Sequence, residues 1–195
     1  MMQKVKGYSL DTFLFLKSWF SSPKQMGCIF PSSEKTSTKI AGLIKDAKNM
    51  KVVELGAGTG QITEKILSQG VLTKNFVTVE YDNMFCKELQ RKFPEIPVIL
   101  NIDAEDILSH LPEGFEGKTD YLISTLPLLM LEPSKAKNIV DAIFKVLKPN
   151  GVYIQVTLSL FQPKYIEELG LKATKICISW LNVPPMHVWR ICKKI

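Results

Sequence analysis

The sequence has little that could hold a metal. Its four cysteines, Cys28, Cys86, Cys177 and Cys192, form no CxxC pair, and only His110 and His187 add imidazole. That disfavours a zinc site and points to free thiols in a reducing compartment. No apolar run reaches the roughly 18–20 residues that cross a bilayer. The apolar stretch near the N-terminus is short, carries Asp11 near its start and lacks a small-residue cleavage site, so no signal peptide is expected. Internal repeats, low-complexity tracts and linker-like segments are also missing. The expectation is a cytoplasmic protein without a resident metal.

What is present fits one well-cored domain of 195 residues. The hydrophobic share of 46% leaves no segment that reads as disordered. A net charge of +6 favours anionic partners, and nucleic acid and an anionic membrane surface suit it equally.

Strand and helix patterns alternate after residue 50. Strands are expected at Met50–Leu55, Asn75–Glu80, Pro97–Asn101, Asp120–Thr125 and Gly151–Thr157. Helices are expected at Gln61–Ser68, Asn83–Lys92 and Ser134–Leu147, the last capped by Ser134 and stopped by "KPNG". This rhythm predicts an α/β fold with a mainly parallel sheet covered on both faces. Leu171–Leu181 and Met186–Cys192 leave no room for a helix between them. They are expected to pair antiparallel as a C-terminal hairpin.

Residues 1–49 read as a separate N-terminal segment ahead of the domain at 50–195. Leu10, Phe13, Leu14, Phe15, Leu16, Trp19 and Phe20 crowd one helix length, with Lys4, Lys6, Lys17 and Lys24 in or beside it. Such a helix either packs as a lid or lies in a membrane interface.

The densest stretch is "VVELGAGTGQIT", Val52 to Thr63. A strand here runs into Gly56-Ala57-Gly58-Thr59-Gly60, where an open parallel sheet binds ligands. The dinucleotide pattern needs glycine at 61, and this chain has Gln61; the GK[ST] of a phosphate loop is also missing. Glu54 precedes the loop and would repel a pyrophosphate while favouring a cationic ligand. Glu80 ends the second strand, where a carboxylate can accept from ribose hydroxyls. Asp103-Ala104 follows the third strand, where a carboxylate can accept from an adenine amino group. Three acids at successive strand ends suit an adenosyl ligand with a cationic tail, as in S-adenosylmethionine.

The glycine stretch resembles the first motif of class I S-adenosylmethionine-dependent methyltransferases, and the strand layout resembles their Rossmann-like seven-stranded sheet. The resemblance implies a cofactor site made by Glu54, Gly56, Ala57, Gly58, Thr59, Gly60, Glu80, Tyr81, Asp103, Ala104 and Ser124, with the glycines admitting the cofactor close to the backbone.

Two subfamilies share the loop. Ribosomal RNA adenine dimethylases carry Asn-[Leu/Ile]-Pro-[Tyr/Phe] after the fourth strand, for a flipped base. Here the segment is "STLPLL", with Ser124 or Thr125 for the asparagine and Leu128 for the aromatic. Their extra helical domain is not expected after the hairpin, so an RNA base is disfavoured. The bacterial phospholipid N-methyltransferases of the phosphatidylethanolamine type fit more widely. "GCIFPSS", "ISTLPLL" and "VPPMHVW" resemble their Gly-Ala-Ile-x-Pro-Ser-Ser, Ser-Gly-Leu-Pro-Leu-Leu and Pro-Pro-x-x-Val-Trp segments, in the same order and spacing. Thr125 and Cys28 depart from a glycine and an alanine, and Val156-Thr157-Leu158 departs from the expected aromatic-Thr-Tyr.

That resemblance implies methyl transfer to phosphatidylethanolamine or its partly methylated forms, with positioning as the main catalytic work. Tyr8 and Ser124 are the candidate catalytic residues. Trp19, Ser32, Ser33, Leu126 and Pro127 are the candidates for the lipid, and Phe161 joins Tyr8 and Trp19 as a possible aromatic wall. The basic N-terminal helix would dock on anionic lipid, each nearby cation contributing about 1 kcal/mol. The alternatives are an RNA adenine dimethylase and a non-catalytic cofactor- and lipid-binding module.

Overall fold

The computed structural model describes residues 34–157, 166, 168–179 and 186–193. All belong to one unit, residues 32–195, distinct from residues 1–31. The expected N-terminal apolar helix, Tyr8, Trp19, Ser32, Ser33 and Phe161 lie outside the described residues.

Seven strands form one sheet: β1 Val52–Leu55, β2 Phe76–Val79, β3 Ile99–Leu100, β4 Thr119–Ser124, β5 Leu147–Thr157, β6 Leu171–Ser179 and β7 Met186–Lys193. Their order is β3-β2-β1-β4-β5-β7-β6. The first five run parallel, and β7 pairs antiparallel with both β5 and β6. The order reverses between β1 and β4, which opens a crevice at their carboxyl ends. The α/β fold with its terminal hairpin is as the sequence pattern predicts.

Among the described residues, four α-helices cover the sheet: α1 Glu34–Ala41, α2 Gln61–Ser68, α3 Asn83–Lys92 and α4 Pro133–Val146. Successive strand residues point to opposite faces, so the core has two halves. Val53, Leu55, Val77, Val79 and Leu122 pack with Ile139, Val140 and Ile143 of α4 on one face. Val52, Phe76, Ile123 and Ile154 pack with Ile40, Ile62, Ile66 and Leu89 of α1, α2 and α3 on the other.

Two local expectations are corrected. Ser134 is not the cap of α4. The cap is Glu132, whose carboxylate accepts from the amides of Ser134 and Lys135 and from the Ser134 hydroxyl. Pro133 has no N–H to satisfy, so it begins the helix one residue earlier than expected. The helix stops before "KPNG" as expected, but that segment lies within β5, which starts at Leu147 rather than at Gly151. Lys148 precedes Pro149 and so disfavours helical backbone; the chain turns extended at Leu147, which pairs with Thr119. A bulge then separates this pair from Tyr121–Val152. Gly151 permits the bulge, because a Cβ there would lie 2.9 Å from the Thr119 carbonyl oxygen.

Candidate functional site

The crevice is built on the loop between β1 and α2. Gly56, Gly58 and Gly60 have φ of 79°, 54° and 79°, backbone that glycine adopts without steric cost. Their surroundings differ. A Cβ at Gly60 would lie 2.5 Å from Phe93, and one at Gly56 would lie 2.9 Å from the Thr125 hydroxyl. A Cβ at Gly58 would meet nothing within 4 Å. The loop is thus packed from behind at its two ends and open at its middle.

Glu80 holds the open middle. Its Oε2 accepts the Gly58 amide at 2.8 Å and its Oε1 accepts the Asp82 amide at 2.9 Å. Each oxygen keeps a lone pair for a further donor. Tyr81 next to it is exposed. Thr59 lends its carbonyl to Lys92 Nζ at 3.4 Å, and Ala57 is buried.

Glu54 sits differently from the placement its position suggests. It shares the pleat side of Val52, so it points into the α2 face with 0% exposure. Its Oε2 accepts from Thr63 Oγ1 at 2.6 Å and Thr78 Oγ1 at 3.3 Å, while Oε1 is buried without a partner. Burial pushes its pKa up to about 7, with the hydroxyls of Thr63 and Thr78 opposing and Glu80 adding to the rise. The expectation of a full negative charge at the loop is corrected accordingly: desolvation holds this carboxyl partly protonated near neutrality.

Asp103 caps the 3-10 turn Ala104–Ser109 through the Glu105 amide and pairs with Lys135 of α4. Burial raises its pKa, but the Lys135 hydrogen bond and the Glu105 amide outweigh it, and the carboxyl stays below its ordinary value. Ala104 is buried beside it.

Ser124 ends β4 with 0% exposure, and its hydroxyl accepts the Leu126 amide at 3.2 Å. Thr125 donates to the Gly56 carbonyl at 2.6 Å, tying this loop to the glycine loop. Gln155 Nε2 donates to the Leu126 carbonyl at 3.0 Å and to Val156 O at 2.7 Å, while Gln155 Oε1 accepts from Tyr153 Oη at 2.5 Å. Leu126 and Pro127 therefore lie on a backbone gripped from two sides. Beyond them, Leu128 and Leu129 form a cleft with Gln155, Thr157, Ala173 and Trp189.

Sequence reasoning missed several of these. Thr63, Gln61 and Gln155 are polar residues inside apolar patterns, which is a readable signal. Lys135 and the Thr125 tie carry none, because their partners are distant in sequence.

The set fits S-adenosylmethionine. Glu54 Oε1 and Gln61 Oε1 have no partner among the described residues but are closed to solvent. The half-buried Glu80 remains, and a pyrophosphate brings it no donor, whereas a ribose brings two hydroxyls. Gly58 leaves room for close approach, and Glu80 remains able to accept from ribose hydroxyls.

Comparison with known proteins agrees. A family model described as a methyltransferase domain matches residues 52–151, more than half of the chain. The chain belongs to this methyltransferase family. Structures of the same fold are solved with S-adenosylmethionine or S-adenosylhomocysteine bound. The methyltransferase is 28% identical over 149 residues to an ornithine lipid N-methyltransferase of Singulisphaera acidiphila, covering 75% of this chain and 78% of that one. It is 33% identical over 133 residues to ribosomal RNA small subunit methyltransferase A of Malacoplasma penetrans, covering 68% of this chain but 43% of that one. Its fold matches magnesium protoporphyrin IX methyltransferase from Synechocystis, solved with bound S-adenosylmethionine, at a TM-score of 0.64 and 13% identity, over 97% of this chain and 100% of that one.

Proposed function

We propose that the methyltransferase methylates the amine of a membrane lipid, phosphatidylethanolamine or its partly methylated forms first, with an ornithine lipid as the second candidate. When bound, S-adenosylmethionine supplies an electrophilic methyl group on sulfonium. The protein's own residues then have to hold an amine in line with it, in a cleft that keeps water out. The observation that carries the reading is the cleft itself. Leu128, where a dimethylase carries its stacking aromatic, is only 4% exposed and packs in the core. No ring is offered to a base at that position, and the open walls are mostly apolar. The ornithine lipid relative, aligned over most of its own length, supports the same class.

Adenine dimethylation of ribosomal RNA is the second reading, favoured by the 33% identical relative. Radiolabelled cofactor supplied with extracted lipids and, separately, with ribosomal RNA decides between them. Label in lipid is expected; label in RNA alone overturns the proposal.

Peripheral docking on anionic bilayers through residues 1–22 belongs to the same proposal. It is consistent with the described residues, among which no helix is long and apolar enough to cross a membrane. Vesicle co-sedimentation checks it: deletion of those residues is expected to abolish binding, and unchanged binding removes the idea.

A further inference from the structure

The strand registers align Leu55, Ser124, Gln155, Trp189 and Lys175 in one row across β1, β4, β5, β7 and β6. The row lies at the carboxyl ends of β1 and β4, one residue short of the glycine loop. Ser124 and Gln155 spend their side chains on the Leu126 backbone. Trp189 does not. Its indole Nε1 is buried and, among the described residues, has no hydrogen-bond partner, though a buried N–H is normally satisfied. Trp189 also lines the cleft. Lys175 places its Nζ 4.8 Å from the centre of the indole ring. A cation over the ring draws electron density from it and makes its N–H a better donor.

A donor unsatisfied among the described residues, with an ammonium over its ring and in a mostly apolar cleft, suits an anionic oxygen. We propose that the Trp189 indole N–H, backed by Lys175, binds an anionic oxygen of the methyl acceptor, so that the acceptor is a zwitterionic amphiphile. Its amine takes the methyl group while its phosphate or carboxylate is held at Trp189. This deepens the lipid-amine reading and rests on it for the substrate's identity. Phosphatidylethanolamine offers a phosphate and an ornithine lipid a carboxylate; a simple alkylamine offers neither.

The test uses the full chain, labelled with nitrogen-15 and saturated with S-adenosylhomocysteine. The protein has three tryptophans, and Trp189→Phe identifies the Trp189 indole resonance by its loss while keeping a ring under Lys175. Dihexanoyl phosphatidylethanolamine, N-dodecanoyl ornithine and dodecylamine are titrated separately. The Trp189 resonance is expected to move downfield with one or both of the first two and to stay in place with dodecylamine. The ligand that moves it tells phosphate from carboxylate. No movement with either zwitterion, or equal movement with dodecylamine, overturns the proposal.

In methyl-transfer assays Trp189→Phe is expected to raise the acceptor KM about 10- to 100-fold, the loss of one charge-assisted hydrogen bond. The Kd for cofactor should change less than about twofold, since the variant removes no donor from the glycine loop. An unchanged KM in a wild type that does methylate lipid sinks this inference alone. A wild type that labels no lipid sinks the lipid reading, and the indole resonance still decides the inference.

Discussion

The Gly58 amide donates to Glu80 Oε2 across 2.8 Å, tying the open middle of the glycine loop to the end of β2. One carboxylate thus shapes the loop, and we propose that it also accepts from a ribose hydroxyl. Replacing Glu80 with Ala is expected to weaken S-adenosylmethionine binding by about 10- to 100-fold, the range for hydrogen bonds to a charged group. Glu80→Gln should fall between. Isothermal titration calorimetry measures both, and unchanged affinity in Glu80→Ala removes Glu80 from the site.

The loop's glycines separate packing from binding. Gly60→Ala forces a methyl against Phe93 and Leu89 at positive φ and should cost about 3 kcal/mol. Urea denaturation would record it. Gly58→Ala meets no neighbour and should cost only about 1–2 kcal/mol, from its backbone alone. Its methyl enters the open side, so its larger effect should be on cofactor affinity. Equal stability losses in the two variants would contradict this division.

Glu54 makes stability depend on pH. Its folded pKa of about 7 lies above the ordinary 4.5. The native state therefore holds the proton more tightly, and this stabilisation is complete below about pH 4.5 and lost as pH rises through 7. The loss should approach about 3 kcal/mol. Glu54→Gln keeps the shape without the titration. The stability of Glu54→Gln minus that of wild type should climb between pH 4.5 and 7 and then level off. Parallel profiles would show that Glu54 does not titrate in this window.

The Thr125 hydroxyl is the direct tie between the loop after β4 and the glycine loop. Thr125→Val keeps the volume and leaves the Gly56 carbonyl without this donor, costing about 1 kcal/mol of stability. Turnover should fall further, by roughly tenfold, because a small shift between the two loops misaligns donor and acceptor. Thr125→Ser should restore most of it. Equal loss in the Val and Ser variants would mean that the methyl group, not the hydroxyl, matters.

Much of the fold was legible in the sequence because the signals are local. Ile62 and Ile66 repeat with the helical period, and α2 and α3 fall where those patterns lie. Gly56, Gly58 and Gly60 mark a turn that only positive φ can make. The acids at 80 and 103 could be placed after β2 and β3 because strand ends could be located. The cap of α4 was misplaced because a long Glu132 side chain reaches amides that Ser134, inside the helix, does not need to serve.

The sequence by itself determined the strands, the helices after residue 50, the glycine turn and the methyltransferase family, since each depends on neighbours along the chain. Only the tertiary structure decided which side of the pleat Glu54 faces, and so why its charge is held back. Only the sheet order, with β7 inserted between β5 and β6, sets Trp189 beside Gln155 and completes the row that reaches Ser124. Those placements come from pairing between distant segments. They depend on burial and hydrogen-bond satisfaction summed over the whole sheet, which no local pattern encodes.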